Sequence, residues 1–229
     1  MSYRCLLFLL LNAAFALNSC IFPPTAFAQD SSSSKKYKAH TTEKLRSSES
    51  SLEAGSVSAG VYRNSSFGFT CKVPAGWVLR TEEMNAQDKD DAKVAENATK
   101  NGRVLLAAYS RPPQARAEDV NASILIAAES VASYPGLKDA AQYFGPVTEI
   151  ARAQGFETDD EPYGFVIGSK TVARGDFQKD VGTRVMRQST LVVLAHGYAV
   201  SFTFIGGTAD EVEELVQGLS FGVSSQSGK

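Results

Sequence analysis

Phe67-Gly68-Phe69-Thr70-Cys71-Lys72-Val73-Pro74-Ala75-Gly76-Trp77 decides the fold of this 229-residue chain. Phe67, Phe69, Cys71 and Val73 fall on one side of an extended backbone and Gly68, Thr70 and Lys72 on the other, the period of a half-buried strand. Cys71 lands on the core side, where a thiol packs as a small hydrophobe and stays inert. Pro74-Ala75-Gly76 is a turn, and Trp77, the only tryptophan, opens a second extended segment. A globular domain therefore begins near this point, and its span is predicted as 61–223, an ordinary size for one core.

Downstream, the pattern changes element by element. Residues 82–100 are polar and charged, a solvated helix or long loop. Residues 104–109 read as a strand stopped by Arg111-Pro112-Pro113, and 123–128 as a strand because Ile124 and Ile126 are β-branched. Tyr134-Pro135-Gly136 is a turn, followed by a helical pattern over 137–153 that Gly145-Pro146 divides and Gly155 ends. Residues 165–174 and 183–195 read as paired strands joined by a polar loop at 176–182. His196-Gly197 then turns into residues 198–204, where Tyr198, Val200, Phe202 and Phe204 take every second place, a strand expected near the sheet centre. Thr208-Ala209-Asp210-Glu211 is a capping box, with Glu211 expected to reach back to the cap. Val212, Leu215, Val216 and Leu219 form a stripe that packs on a sheet, and Phe221 returns to the core. The fold class is α+β, a mainly antiparallel sheet flanked by helices in an α/β/α sandwich.

The N-terminus is of another kind. Residues 1–28 read as a signal peptide: Arg4, a short apolar run, and Ala26-Phe27-Ala28 at the cut. That run is shorter than the about 20 apolar residues needed to span a bilayer. Leu17-Asn18-Ser19-Cys20 loosely matches a lipoprotein box, so lipidation at Cys20 is the rival cut. Residues 29–60 read as a disordered, serine-rich linker carrying a solvated His40, and 224–229 as a flexible tail. Removing residues 1–28 takes away Arg4 and no acid, leaving 22 basic and 25 acidic residues, net charge −3. That balance argues against a nucleic-acid partner, which needs a clustered basic face. Cys5 and Cys20 leave with the signal, so Cys71 has no internal disulfide partner.

Tyr62, Asn64, Phe67, Gly68, Phe69, Pro74, Gly76 and Trp77 at one end, and Gly197, Tyr198, Phe202 and Phe204 at the other, stand in a recognisable order. With that order the chain resembles the PsbP-like superfamily, as a bacterial envelope member, over most of residues 61–222. The resemblance implies an antiparallel sheet sandwiched between helices. It transfers no site residue, because the members share a fold and not an activity.

Candidate chemistry is sparse. A Ser-His-Asp or Cys-His arrangement would have to use His196, read here as a turn residue. Clustered Cys and His for zinc are absent from the sequence. Asp88-Lys89-Asp90-Asp91 lacks the ligand spacing of a calcium loop, and Asp159-Asp160-Glu161 reads as a solvated face. Gly206-Gly207 offers backbone amides at a helix start, but Asp210 and Glu211 repel an anion there. Asn64, Asn97 and Asn121 each open a glycosylation triplet. Tyr134, Tyr143 and Tyr163, with Phe144, lie near turns and helix surfaces and are the candidate partner-binding aromatics.

No catalytic, cofactor or metal residue is assigned. The favoured function is an exported, secreted or periplasmic, non-enzymatic binding or accessory protein. It assists an envelope or membrane-associated complex by binding an envelope protein or a small ligand, and touches the membrane only if Cys20 is lipidated. The alternative is a hydrolase using acidic residues in a cleft, whose mark is a carboxyl of raised pKa.

Overall fold

The computed structural model describes residues 52–94, 102–115, 119–158 and 160–222, of which 88–94 by their backbone course alone. The signal segment, Cys20, His40, most of the linker, the triplet at Asn97 and the tail lie outside the described residues. No helix among those described is long and apolar enough to cross a membrane.

The chain is α+β, built on two antiparallel sheets. Strands β1 (Ser56–Ser58), β2 (Val61–Asn64), β3 (Phe69–Lys72) and β11 (Leu219–Phe221) form a four-stranded sheet in the order β1-β2-β3-β11. The larger sheet uses β4 (Val78–Leu79), β5 (Gly102–Tyr109), β6 (Ser123–Ser130), β7 (Tyr163–Ile167), β8 (Lys170–Val181), β9 (Arg184–Ala195) and β10 (Tyr198–Gly206). Its order is β4-β5-β6-β10-β9-β8-β7, which puts β10 at the centre. Three helices accompany the sheets: α1 (Thr81–Val94), α2 (Phe144–Ala153) and α3 (Ala209–Gln217).

The alternation in the opening stretch holds: Phe69 and Cys71 are fully buried, while Lys72 is exposed. They belong to a core in which the small sheet and α3 cover one face of the large one. Phe69 meets Phe202 edge to face at 4.8 Å between centroids, and Val212, Leu215 and Val216 join the same cluster. Fully burying such a side chain contributes about 1.5–3 kcal/mol before entropy is counted. The opposite face is covered in two parts. Met84 of α1 packs against Val104, Ala107 and Leu125, and Phe144, Val147 and Ala151 of α2 pack against Ala173, Phe177 and Val192. Strand β10 is therefore buried on both sides, and Ala199, Ser201 and Thr203 are as hidden as Val200, Phe202 and Phe204.

Several sequence expectations need correction. Ordered chain begins at least at Leu52, not at Val61. Strand β1 pairs with β2, Leu52 packs on the core and its carbonyl accepts from Arg103 Nη1 at 2.8 Å. All three β1 residues are exposed, so this strand is held through main chain that composition does not reveal. The polar loop predicted at 176–182 is the second half of β8, paired throughout with β9. Phe177 is buried while the polar residues around it face outward or the edge, so a strand at the sheet margin looks like a loop. The single strand predicted at 165–174 is a hairpin, β7 and the start of β8, turned at Gly168-Ser169 with Gly168 at φ +61°. Helix α2 is shorter than 137–153: it starts at Phe144 after a 3-10 turn at Ala141–Tyr143, with Pro146 in its first turn, and Gly155 at φ +82° follows its end. At α3, the Thr208 hydroxyl accepts from the Glu211 amide as expected (3.1 Å), but the Glu211 carboxylate accepts from Gly207 N at 2.7 Å, one residue before the cap.

Strand β5 carries a bulge between Val104 and Leu106, which turns Leu105 and Leu106 toward the same core. The Asn85 amide of α1 compensates: it donates to Val104 O at 2.9 Å and accepts from Val104 N at 3.1 Å. Thr81 Oγ1 accepts from Ala107 N, and Arg80 N donates to Ala107 O. The outer main chain of β5 is thus satisfied by the start of α1.

Candidate functional site

Strand β6 ends by carrying a carboxylate inward. Leu125, Ala127 and Glu129 share one face, so the alternation that buries the first two buries Glu129, which is 5% exposed. Ser130 caps a 3-10 turn at Val131–Ser133, its hydroxyl accepting from Ala132 N. The chain then passes Tyr134, turns at Pro135-Gly136 with Gly136 at φ +98°, and winds into α2 through Tyr143. This path brings two phenols onto one carboxylate oxygen. Glu129 Oε2 accepts from the Tyr134 hydroxyl at 2.6 Å and from the Tyr143 hydroxyl at 2.8 Å. The two rings stand edge to face, 5.2 Å apart.

Burial pushes the Glu129 pKa up, and the two phenol hydrogen bonds oppose the shift in part. The Tyr143 phenol is raised by burial first and by the Glu129 charge next. In front of this clamp lies a cleft of about 320 Å³ whose walls include Tyr134, Leu137, Gln142, Tyr143, Pro146 and Glu149. Both phenols donate to Glu129, which is not among the residues that line the cleft. What the cleft presents is ring surface, a proline, and a polar rim of Gln142 and Glu149.

The three candidate tyrosines do not converge. Tyr134 and Tyr143 share the cleft, but Tyr143 is 2% exposed, a correction to its expected place among surface aromatics. Its ring is needed over Glu129, so only part of it reaches the cleft. Tyr163 lies on the opposite face of the large sheet, beside Arg174 in the β7–β8 register. It is 42% exposed and donates to Asp176 Oδ2 at 2.7 Å. Burial and then the Asp176 carboxylate push its pKa up to about 12. Arg174 is buried there under α3. Its Nε donates to Asp176 Oδ1 at 3.0 Å and its Nη2 to Ser189 Oγ at 2.8 Å; it also pairs with Glu213 of α3 and stacks 4.8 Å over the Phe165 ring. Every arm of the guanidinium is engaged, so this cluster ties α3 to the sheet margin.

The remaining candidates fall apart in space. His196 is exposed at the tip of the β9–β10 turn, its ring 6.2 Å from that of Phe67. Asp160 and Glu161 are exposed; the side chains of Asp88 to Asp91, and Asp159 itself, lie outside the described residues. Among the described residues no three His, Cys, Asp or Glu side chains gather as metal ligands would. The amide of Gly207 is taken by Glu211. Asn64 is buried: its Nδ2 donates to Glu53 O and to the Tyr62 hydroxyl, and its Oδ1 accepts from Phe67 N, so its triplet serves the fold. Glu129 was missed in the sequence. The available signal was a carboxylate at an inward position of a predicted strand, in step with Leu125 and Ala127.

No family model matches this chain, and no curated protein does. Among solved structures it is similar to LpqN of Mycobacterium tuberculosis, described as involved in cell envelope biogenesis. That match has 13% identity, covers 67% of this chain and 83% of that one, and has a TM-score of 0.34. It is similar to the Ran-binding protein Mog1p of Saccharomyces cerevisiae at 14% identity, covering 67% and 90%, with a TM-score of 0.36. A Bacteroides thetaiotaomicron protein matches at 14% identity over 70% of this chain, with a TM-score of 0.35, and the match spans 47% of that protein. Likenesses this slight assign no function here.

Proposed function

We propose that this chain is an exported, non-enzymatic binding protein that serves an envelope complex through the Tyr134–Tyr143 cleft. One observation carries the reading: a concave, partly aromatic surface whose walls are fixed from behind by a buried carboxylate. A wall held this way keeps its shape before a ligand arrives, which reduces the ordering cost of binding. The signal-like N-terminus supports export, and the resemblance to the PsbP-like superfamily fits an accessory role.

The test is recovery of partners from the protein's own envelope fraction, comparing wild type with Pro135→Ser/Glu149→Lys, two exposed changes in the cleft wall. A partner retained by wild type and lost by the variant is the expected outcome. Equal recovery by both removes the cleft from the reading. Mass analysis of the N-terminus separates release, with Gln29 first, from a lipid on Cys20.

The hydrolase reading has one observation in its favour, the raised pKa of Glu129 beside a cleft. Turnover of a sugar or ester by the purified chain, abolished in Glu129→Gln, would replace the binding role.

A further inference from the structure

We propose that β7 is a self-pairing edge, through which two copies of this chain join antiparallel about a two-fold axis at Phe165. The large sheet treats its two ends differently. At one end β4 has only two residues, and beyond it Arg80, Thr81 and Asn85 take the outward main-chain groups of β5. At the other end the bridge between Glu157 and Gln178 closes part of the β8 margin. Strand β11 runs close to β7, but among the described residues no main-chain hydrogen bond reaches the outer side of β7. Its sequence, Tyr-Gly-Phe-Val-Ile, carries no charge, proline or bulge, the devices by which edge strands usually discourage pairing. Gly164 is exposed and Val166 is 64% exposed.

The register fixes what the edge offers. A two-residue turn with glycine first closes on a hydrogen-bonded pair, here Ile167 and Lys170. Counting back by two, Phe165 and Tyr163 also face β8 with their main chain, so Gly164 and Val166 turn theirs outward. These two positions are symmetric about Phe165. Antiparallel pairing centred there sets Val166 of each copy opposite Gly164 of the other, and both outward pairs are satisfied at once. The exposed valine then lies over a residue with no side chain. The same arrangement brings the acidic entry to β7, Asp160 and Glu161, toward the partner's hairpin end, which carries Lys170. A parallel pairing would set the acidic entries side by side. Charge and register both favour a second copy as the occupant, joined by an isologous contact.

The test measures the mass of the full chain in solution over a range of concentrations, by sedimentation. Wild type is expected to form dimers that dissociate on dilution. Val166→Pro removes an outward N–H without touching the β8 ladder, and is expected to leave a monomer that melts where dilute, dissociated wild type does. Val166→Lys, which keeps that N–H, is expected to do the same by placing a charge at the axis, and decides the matter if the proline variant fails to fold. Register is read separately. A mixture of Gly164→Cys and Val166→Cys proteins should cross-link on oxidation, whereas either alone should not, since like positions lie diagonally beyond the about 7 Å that a disulfide spans. A wild type that stays monomeric overturns the proposal and leaves the edge to a foreign strand. A dimer that survives both Val166 changes, or cross-links of each cysteine variant with itself, overturns it as well.

Discussion

The ring of Phe144 occupies the space in which a side chain on Gly175 would stand: a Cβ there would lie 2.5 Å from Phe144 Cε1 and 2.9 Å from Cδ1. Phe144 opens α2 and is 1% exposed, so this glycine sets how closely the helix that walls the cleft approaches β8. Gly175→Ala is expected to destabilise the protein by about 1–3 kcal/mol through overpacking, read from the urea midpoint. Gly164→Ala is the control, because its nearest neighbour is Thr171 Cγ2 at 3.8 Å. Equal losses at the two positions would show that backbone freedom, not the Phe144 ring, sets the cost.

Cys71 pairs with Tyr62 on one side and Leu219 on the other, and is fully buried. Burial pushes its thiol up to about 12, so the reactive thiolate is scarce at neutral pH. An aromatic disulfide reagent is expected to leave the native protein unlabelled and to react fully once denaturant is added. Rapid labelling without denaturant would contradict this placement. Cys71→Ser is expected to cost more than Cys71→Ala, by no more than about 1–3 kcal/mol, because the hydroxyl would be buried with the Lys72 carbonyl, 3.7 Å from the present sulfur, as its acceptor.

How much of this was legible in the sequence depended on which group did the holding. Side chains that hold by burial announced themselves: the alternation through Phe69 and Cys71, the stripe of Val212, Leu215 and Val216, and the run from Tyr198 to Phe204, which lies at the sheet centre. Elements held by main chain did not. Strand β1 buries nothing, and the outer half of β8 alternates only through Phe177. The Gly168-Ser169 turn did leave a mark, since a glycine-serine pair between Phe165-Val166-Ile167 and Val172-Ala173 is a hairpin signal that a single strand over 165–174 passes over. The site was half legible for a similar reason. Tyr134 and Tyr143 drew notice as aromatics near turns, but nothing local ties them to Glu129, five and fourteen residues earlier. The 3-10 turn at Val131–Ser133 carries Tyr134 to Glu129, and the turn at Pro135-Gly136 lies on the path to Tyr143.

Arg174 and Glu213 join the sheet margin to α3, and the two ends of this pair are unequal. The Arg174 side chain is 7% exposed and that of Glu213 is 42% exposed. Solvent screens the acid end, so Glu213→Ala is expected to cost no more than about 1 kcal/mol. Arg174→Ala also strips Asp176 and Ser189 of their buried partner and uncovers the Phe165 ring, and is expected to cost about 3–5 kcal/mol. Equilibrium unfolding of both single variants and the double variant checks the order. Equal losses would mean that the ion pair alone, rather than the arginine's full set of contacts, stabilises this corner.

The buried Glu129 makes stability depend on pH in a stated direction. In the unfolded chain its carboxyl titrates near about 4.3; in the fold, burial holds the pKa above that. The folded state therefore binds the proton more tightly. The stabilisation that this gives is fully present below the unfolded pKa and is lost as pH rises through the folded one. Glu129→Gln keeps an oxygen for the two phenols and cannot titrate. The stability of the variant relative to wild type is thus expected to increase from acid toward neutral pH and then level off, other groups cancelling in the difference. Glu129→Leu instead removes the acceptor that the two phenols share and is expected to lose about 1–3 kcal/mol. Urea unfolding of the three proteins across a pH series reads both effects. A Gln-minus-Glu difference that stays flat with pH would mean that Glu129 keeps an ordinary carboxyl in the fold, and the clamp behind the cleft would then be held by charge with no cost from burial.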